Sequence, residues 1–259
     1  MDDIKVAVIM PLPACNMFCN FCITEDNFDC MSFEQALFAI EHIGHLGIKN
    51  IVFGGGEPFS WPHNIIKLCE NAKDMGFLVQ IGTNATCLPD GYETLSCIDR
   101  FVIPLESADE EVHNSMRFFP TGHFGVIMDC LKKLKDKKSV TISTVLTNYN
   151  INGIVKLAEF LRKYDSGHIH AWHLYQFIPE GRGGRANAMK LAPSPKDYYA
   201  ACEAVRTMEL PFHVFKRPDM YKSKTVGFFC FGNGNLRTSH ELGNRYRHSE
   251  SNVVNLEAI

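Results

Sequence analysis

The sequence predicts an α/β fold built on a mostly parallel sheet, and three observations carry that expectation. Short apolar runs alternate with longer stretches of helical periodicity. The runs form six strand–helix units, too few for a closed eight-fold barrel. The chain has 259 residues, a size single α/β domains reach, and 46% apolar against 21% charged residues supply a substantial core. An open, partial barrel and a doubly wound sheet both satisfy these observations. Both put the active site at the C-terminal ends of the strands.

"KVAVIM" (residues 5–10) reads as the first strand. "SFEQALFAIEHIGHL" reads as a helix, with Ser32 and Gln35 placed as a capping box. "NIVFGGG" is a second strand ending in glycines, and "NIIKLCENAKDM" a helix that Gly76 stops. "LVQIGTN", "RFVIPL", "SVTISTVL" and "HIHAWHLYQF" supply strands three to six. Further helices are expected over residues 91–97, 125–137, 151–164 and 196–208. From Phe212 the alternation is lost and Gly, Asn, Ser and Arg become frequent. Residues 1–211 are therefore read as the core, and 212–259 as an irregular extension or small hairpin packed on it.

Composition removes several function classes. Lys plus Arg number 26 against 29 Asp plus Glu, a net charge of -3, which is no electrostatic footprint for nucleic acid. No apolar run is long enough for a transmembrane helix, and "MDDIKVAVIMPLP" starts too acidic for a secretory signal. Ten cysteines without an export signal point to a reducing cytoplasm, where closely spaced cysteines serve metal or catalysis.

Cys15, Cys19 and Cys22 ("CNMFCNFC") come just after the first strand. Three thiolates in one short loop can wrap a compact metal centre, zinc or iron–sulfur. A structural site closes with a fourth ligand, for which Cys30 is the nearest candidate; a catalytic site leaves one position open. "FGGGEPF" ends the second strand. Alone it reads as a tight turn or a phosphate cradle, and no Lys-Ser/Thr comes after it to make a P-loop.

Taken together, Cys-x3-Cys-x2-Cys with an aromatic before its last cysteine, and then Gly-Gly-Glu-Pro, resembles the radical S-adenosylmethionine (SAM) enzymes. The resemblance runs from about Lys5 to Phe177 and implies a partial (β/α)6 TIM-like barrel. It implies that Cys15, Cys19 and Cys22 hold one 4Fe–4S cluster whose fourth iron is chelated by SAM. Phe21 would pack near the adenine, Gly55 and Gly56 would let backbone approach the methionine end, and Glu57 would bind its ammonium. "TNA" resembles the family's "TNG" and puts Asn84 at the cofactor. In "LESADEEVHNSMR", Glu106 would hold the ribose hydroxyls and Arg117 the SAM carboxylate, although Pro104 stands where many members have a Ser. The backbone of residues 175–177 would border the adenine. The implied chemistry is reductive cleavage of SAM to a 5′-deoxyadenosyl radical that takes a hydrogen atom from a small-molecule substrate. A flavodoxin or ferredoxin would deliver the electron.

Particular similarity is to viperin-like and molybdenum-cofactor-cyclase-like members. The former act on nucleoside triphosphates, so a nucleotide or other anionic substrate is expected. The rivals are a zinc-stabilised or four-ligand iron–sulfur module without SAM chemistry, and an activase that places a glycyl radical on a partner enzyme. Too few late cysteines remain for an auxiliary-cluster domain, and too little chain precedes Cys15 for a peptide-leader domain.

On strand six, His168, His170, Trp172, Leu174 and Gln176 share one face by period two. A substrate in the lumen would account for that polarity, making His170, Trp172 and Gln176 binding candidates. The loop "PEGRGGR" offers Arg182 and Arg185 as anion anchors in a glycine nest. Cys69, Cys130 and Cys202 read as core. Cys230 is either a buried small residue or a hydrogen-atom donor near the substrate.

Overall fold

The computed structural model describes residues 4–238. In chain order these form β1 (Val6–Leu12), a two-residue β2 (Phe18–Cys19), α1 (Phe33–His45), β3 (Asn50–Gly55), α2 (Ile65–Asp74), β4 (Leu78–Gly82) and β5 (Arg100–Pro104). Next come α3 (Glu110–Met116), a two-residue β6 (Arg117–Phe118), α4 (His123–Leu134), β7 (Ser139–Leu146), α5 (Ile154–Tyr164) and β8 (Ile169–Gln176). The single turns α6 (Gly181–Gly184) and α7 (Ala188–Leu191), then α8 (Pro195–Arg206), β9 (His213–Arg217), β10 (Val226–Gly232) and β11 (Asn235–Thr238) complete it.

The main sheet runs β11-β10-β1-β3-β4-β5-β7-β8-β9. Every pairing is parallel except the β10–β11 hairpin. β9 and β11 are its two edges, so the sheet curls without closing. Phe18 and Cys19 pair separately with Phe118 and Arg117 in a small ribbon.

Strand alternation divides the interior. On β1, Ala7 and Ile9 are fully buried with α1 residues Ala36, Ile40 and Ile43, while Val6 and Val8 face the opposite way, into the lumen. Ser32 and Gln35 form the expected capping box, at 3.2 and 2.9 Å. α2 ends just before Gly76, which takes φ 83°. Over 91–97 there is only a 3-10 turn, Tyr92–Thr94, because Leu95 turns extended and returns Cys97 and Ile98 to the core.

Residues 212–238 contribute three strands. β10 is an unbroken apolar run buried on both faces, the pattern of an inner parallel strand rather than of an alternating one. β9 is short and half exposed, as an edge strand. The rest of the extension, from residue 239, lies outside the described residues. Among the described residues no helix is long and apolar enough to cross a membrane.

Strand β8 corrects one expectation. Its register pairs Val140 with Ile169 but Thr141 with Ala171, so His170 is an extra residue. The bulge flips the face of the remaining strand. His173 and Tyr175 face the lumen, whereas Trp172 is fully buried in the core, its Nε1 donating to Thr144 Oγ1 at 2.8 Å. Trp172 is therefore a core residue, not a substrate contact. Trp172→Phe is expected to cost about 2 kcal/mol in denaturant melts, from one lost buried hydrogen bond and a small void. Loss of activity without that destabilisation would restore the substrate role.

Candidate active site

At the C-terminal ends of the strands lies a cavity of about 310 Å³. Cys15, Cys19, Cys22, Phe21, Gly55, Gly56, Glu57, Asn84 and Arg117 all line it. Backbone bonds seat the cysteine loop: Gly56 N–H donates to Leu12 O at 2.9 Å and Glu57 N–H to Ala14 O at 3.0 Å. Gly56 has to be glycine for this approach, since a Cβ there would stand 1.7 Å from Ala14 O. The glycines thus serve first to bring β3 against the cysteine loop.

The loop "PEGRGGR" presses on the same cysteines from the other side. The N–H groups of Gly183 and Gly184 donate to Cys22 O at 3.0 and 3.2 Å, and that of Arg182 to Thr24 O at 3.2 Å. A Cβ on Gly183 would lie 2.2 Å from Cys19 O. The amides expected to form an anion nest are spent as a clamp on the cysteine loop.

Each thiol has its own N–H neighbour. Asn84 Nδ2 donates to Cys15 Sγ and Arg117 Nη1 to Cys19 Sγ, both at 3.5 Å. The Arg182 guanidinium lies close enough to Cys22 for the two to attract each other electrostatically. Burial pushes the Cys19 thiol up to about 12, against the pull of Arg117. Binding to a metal centre supplies the positive charge that ionises such a thiol. Cys30 is exposed, hydrogen-bonds its neighbour Met31 O, and does not line the cavity. Among the described residues no three His, Cys, Asp or Glu side chains converge on a single metal ion. Three thiols spread around one cavity, with N–H groups beside their sulfurs, fit a cluster wider than one ion.

Glu57 is buried and accepts from Thr83 Oγ1 at 2.8 Å, Asn84 N–H at 2.7 Å and Phe59 N–H at 3.1 Å. Burial raises its pKa and these donors oppose the rise. Among the described residues no cation pairs with it. A buried carboxylate facing a cavity without a counter-charge suits a ligand ammonium.

Glu106 departs from its expected role. It is fully buried and does not line the cavity. Its Oε1 takes both Nε and Nη2 of Arg117 at 2.8 Å, and its Oε2 takes Val145 N–H at 2.7 Å. With its oxygens so engaged, Glu106 holds Arg117 rather than a ribose. Arg117 in turn lies over the Phe21 ring, 5.0 Å from its centroid. Phe21, Met116, Phe177 and Leu191 form a small apolar cluster beside it.

Two histidines that the sequence did not single out tie these parts together. His113 Nδ1 accepts the Glu106 N–H at 3.1 Å, which leaves its Nε2 protonated. That Nε2 donates to His123 Nδ1 at 2.8 Å, and His123 Nε2 donates to Asn84 O at 2.8 Å. The relay joins the ends of β4 and β5. No local pattern marks the pair, because its meaning comes from two helices meeting.

Burial, with nearby Arg117, lowers His113 to about 2 and His123 to about 4; His173 in the lumen falls to about 3, from burial and then Arg217. These rings are neutral when folded, whereas unfolded they protonate near 6.5. Their stability contribution is full above that pH and lost as pH falls through the window down to the folded values. Each ring removes up to about 1.4 kcal/mol per pH unit there, so denaturant melts at about pH 8 and about pH 5.5 should differ by several kcal/mol. A flat profile would contradict neutral buried rings.

The remaining candidates divide. Gln176 and Arg182 line the cysteine cavity, and His170 lines a second cavity deeper in the lumen. Arg182 is held by Pro13 O at 2.9 Å and Asp26 at 3.1 Å. Arg185 lies outside both cavities, paired with Glu25 and Glu180. It braces the loop instead of anchoring substrate. Cys230 is fully buried and lines neither cavity, which removes the geometry a hydrogen-atom donor needs.

Known proteins resemble this chain in sequence and in fold. The chain is 27% identical over 182 residues to an S-adenosylmethionine-dependent nucleotide dehydratase of Lacinutrix mariniflava, covering 64% of this chain and 37% of that protein. It is 36% identical over 87 residues to 7-carboxy-7-deazaguanine synthase of Rickettsia prowazekii, covering 31% and 36%. The chain thus spans little more than a third of either relative. In fold it matches SuiB of Streptococcus suis bound to S-adenosylmethionine, with a TM-score of 0.70 at 14% identity over 96% of this chain and 64% of that one. It also matches anSMEcpe with bound AdoMet, at TM-score 0.60 and 17% identity over 79% and 58%. The Radical SAM superfamily profile matches residues 9–161, more than half of the chain and the stretch that carries the glycine turn and the cysteine loop. With the curled parallel sheet and three thiols at its C-terminal rim, this match places the chain in the Radical SAM superfamily.

Proposed function

We propose that Cys15, Cys19 and Cys22 hold one 4Fe–4S cluster, that SAM occupies the cavity beside them, and that the enzyme takes a hydrogen atom from a small anionic substrate, a nucleotide being the leading class. One observation carries the reading: three thiols, two of them with an N–H donor and the third beside the Arg182 guanidinium, share a cavity with the buried carboxylate of Glu57. When bound, the cluster and SAM supply a one-electron reductive cleavage to methionine and a 5′-deoxyadenosyl radical. The chain's own residues do the rest. Asn84, Arg117 and Arg182 stabilise negative charge on the three sulfurs. Glu57 takes the ammonium of the ligand. Phe21 and Phe177 form an apolar wall that keeps water from the adenine side. The name of the nucleotide dehydratase relative supports the substrate class.

A flavodoxin or ferredoxin delivers the electron. Anaerobic reconstitution with iron and sulfide, then dithionite and SAM, tests the reading by counting 5′-deoxyadenosine and methionine. Both should appear together; a protein that takes up only zinc and leaves SAM intact would end it.

A further inference from the structure

Below the cysteine cavity the lumen continues as a larger cavity of about 710 Å³, a size that suits a nucleotide-scale ligand. The two cavities share Val102, Tyr175 and Met220 in their linings, so they are neighbours in the lumen. One wall of the larger cavity is apolar and comes from β1, β3 and β10.

The opposite wall is cationic. Arg217 stands at the end of β9, level with Tyr175 in the β8–β9 register. Its guanidinium lies over the Phe215 ring, 5.2 Å from the centroid, and Phe215 packs edge-on against His173 at 5.3 Å. This stack fixes the guanidinium, and among the described residues no side chain takes its donors. Arg100, at the start of β5, reaches Ser139 Oγ at 3.1 Å and Gln80 Oε1 at 3.4 Å. Among the described residues neither arginine pairs with a carboxylate. Among the described residues, too, Asp219 is the one acidic side chain lining the cavity, and it pairs with Lys222 at 3.6 Å. Two arginines on separate strands, lining one cavity with no carboxylate partner among the described residues, form a site built for an anion.

We propose that this chamber binds a phosphate-bearing small molecule, with Arg217 and Arg100 gripping the phosphate oxygens and the apolar wall holding the remainder. The proposal rests on the reading that the chemistry occurs at the cysteine end of the same lumen. It replaces Arg182 and Arg185, which the sequence put forward, by arginines that lie far apart in the chain. A phosphate suits two separated forks better than a carboxylate does, because it offers three oxygens to donors from different directions.

Calorimetry on the full, anaerobically reconstituted chain tests it, with inorganic pyrophosphate, the four ribonucleoside triphosphates, the matching uncharged nucleosides and succinate as probes. Pyrophosphate and at least one triphosphate should bind, with nucleosides and succinate at least tenfold weaker. Arg217→Gln and Arg100→Gln should each weaken the phosphate probes at least tenfold, Arg217→Lys by less, and the surface control Arg206→Gln not at all. A thermal melt of each variant separates lost binding from lost folding, and Arg217→Lys keeps the test open if a Gln variant does not fold. Three results would overturn the proposal: no phosphate probe binding to the wild-type chain, nucleosides or succinate binding as tightly as phosphates, or folded Arg217→Gln retaining wild-type affinity. Formation of 5′-deoxyadenosine by the wild-type protein without any phosphate probe reads the radical chemistry separately, so failure of one reading leaves the other measurable.

Discussion

Glu106→Ala is expected to destabilise the fold by about 3–5 kcal/mol, a large fraction of the stability of an ordinary domain. The reason lies in what it leaves behind. Arg117, only 13% exposed at its side chain, would keep a buried charge with no counter-ion. The Val145 N–H would lose its acceptor. The same change would free Arg117 from Cys19 and Phe21, so iron content should fall with stability. Glu106→Gln keeps hydrogen-bonding atoms but removes the charge, and should lie between wild type and Ala. Denaturant titration checks this. If Glu106→Ala cost under about 1 kcal/mol yet weakened SAM binding, the carboxylate would be a cofactor contact after all.

Removing any one of the three cysteines should have the largest effect on activity. Cys15→Ala, Cys19→Ala and Cys22→Ala should each lose iron and all SAM cleavage, because a cluster held at three corners does not tolerate two. Cys30→Ala should keep both, since Cys30 is exposed and faces elsewhere. Iron and sulfide analysis of the four variants reads this directly. Loss of the cluster in Cys30→Ala with retention in one of the other three would point to a different ligand set.

Much of this arrangement is legible in the chain alone. Inner parallel strands announce themselves as short apolar runs, and the three cysteines and Gly-Gly-Glu-Pro are local patterns whose spacing carries their chemistry. What escaped depends on contacts between distant segments. The bulge at His170 leaves no trace in hydrophobic alternation, yet it moves Trp172 from the lumen to the core. Glu106 and Arg117 stand eleven residues apart, and only the fold shows that they serve each other first. The glycine loop after β8 has the composition of an anion nest, but its amides are taken by Cys22 and Thr24 carbonyls. Arg100 and Arg217 become neighbours of one cavity only when the sheet curls. β10 escaped because no helix follows its apolar run, which turns directly into β11 and so breaks the strand–helix rhythm.

The central claim is that the open corner of a three-cysteine cluster binds SAM. Electron paramagnetic resonance of the dithionite-reduced, reconstituted protein, recorded with and without SAM, tests it most directly. The account predicts a 4Fe–4S signal whose g-values shift when SAM is added, with the shift lost or weakened in Glu57→Gln. A reduced cluster signal that SAM leaves unmoved, or a protein that carries no cluster, would contradict it.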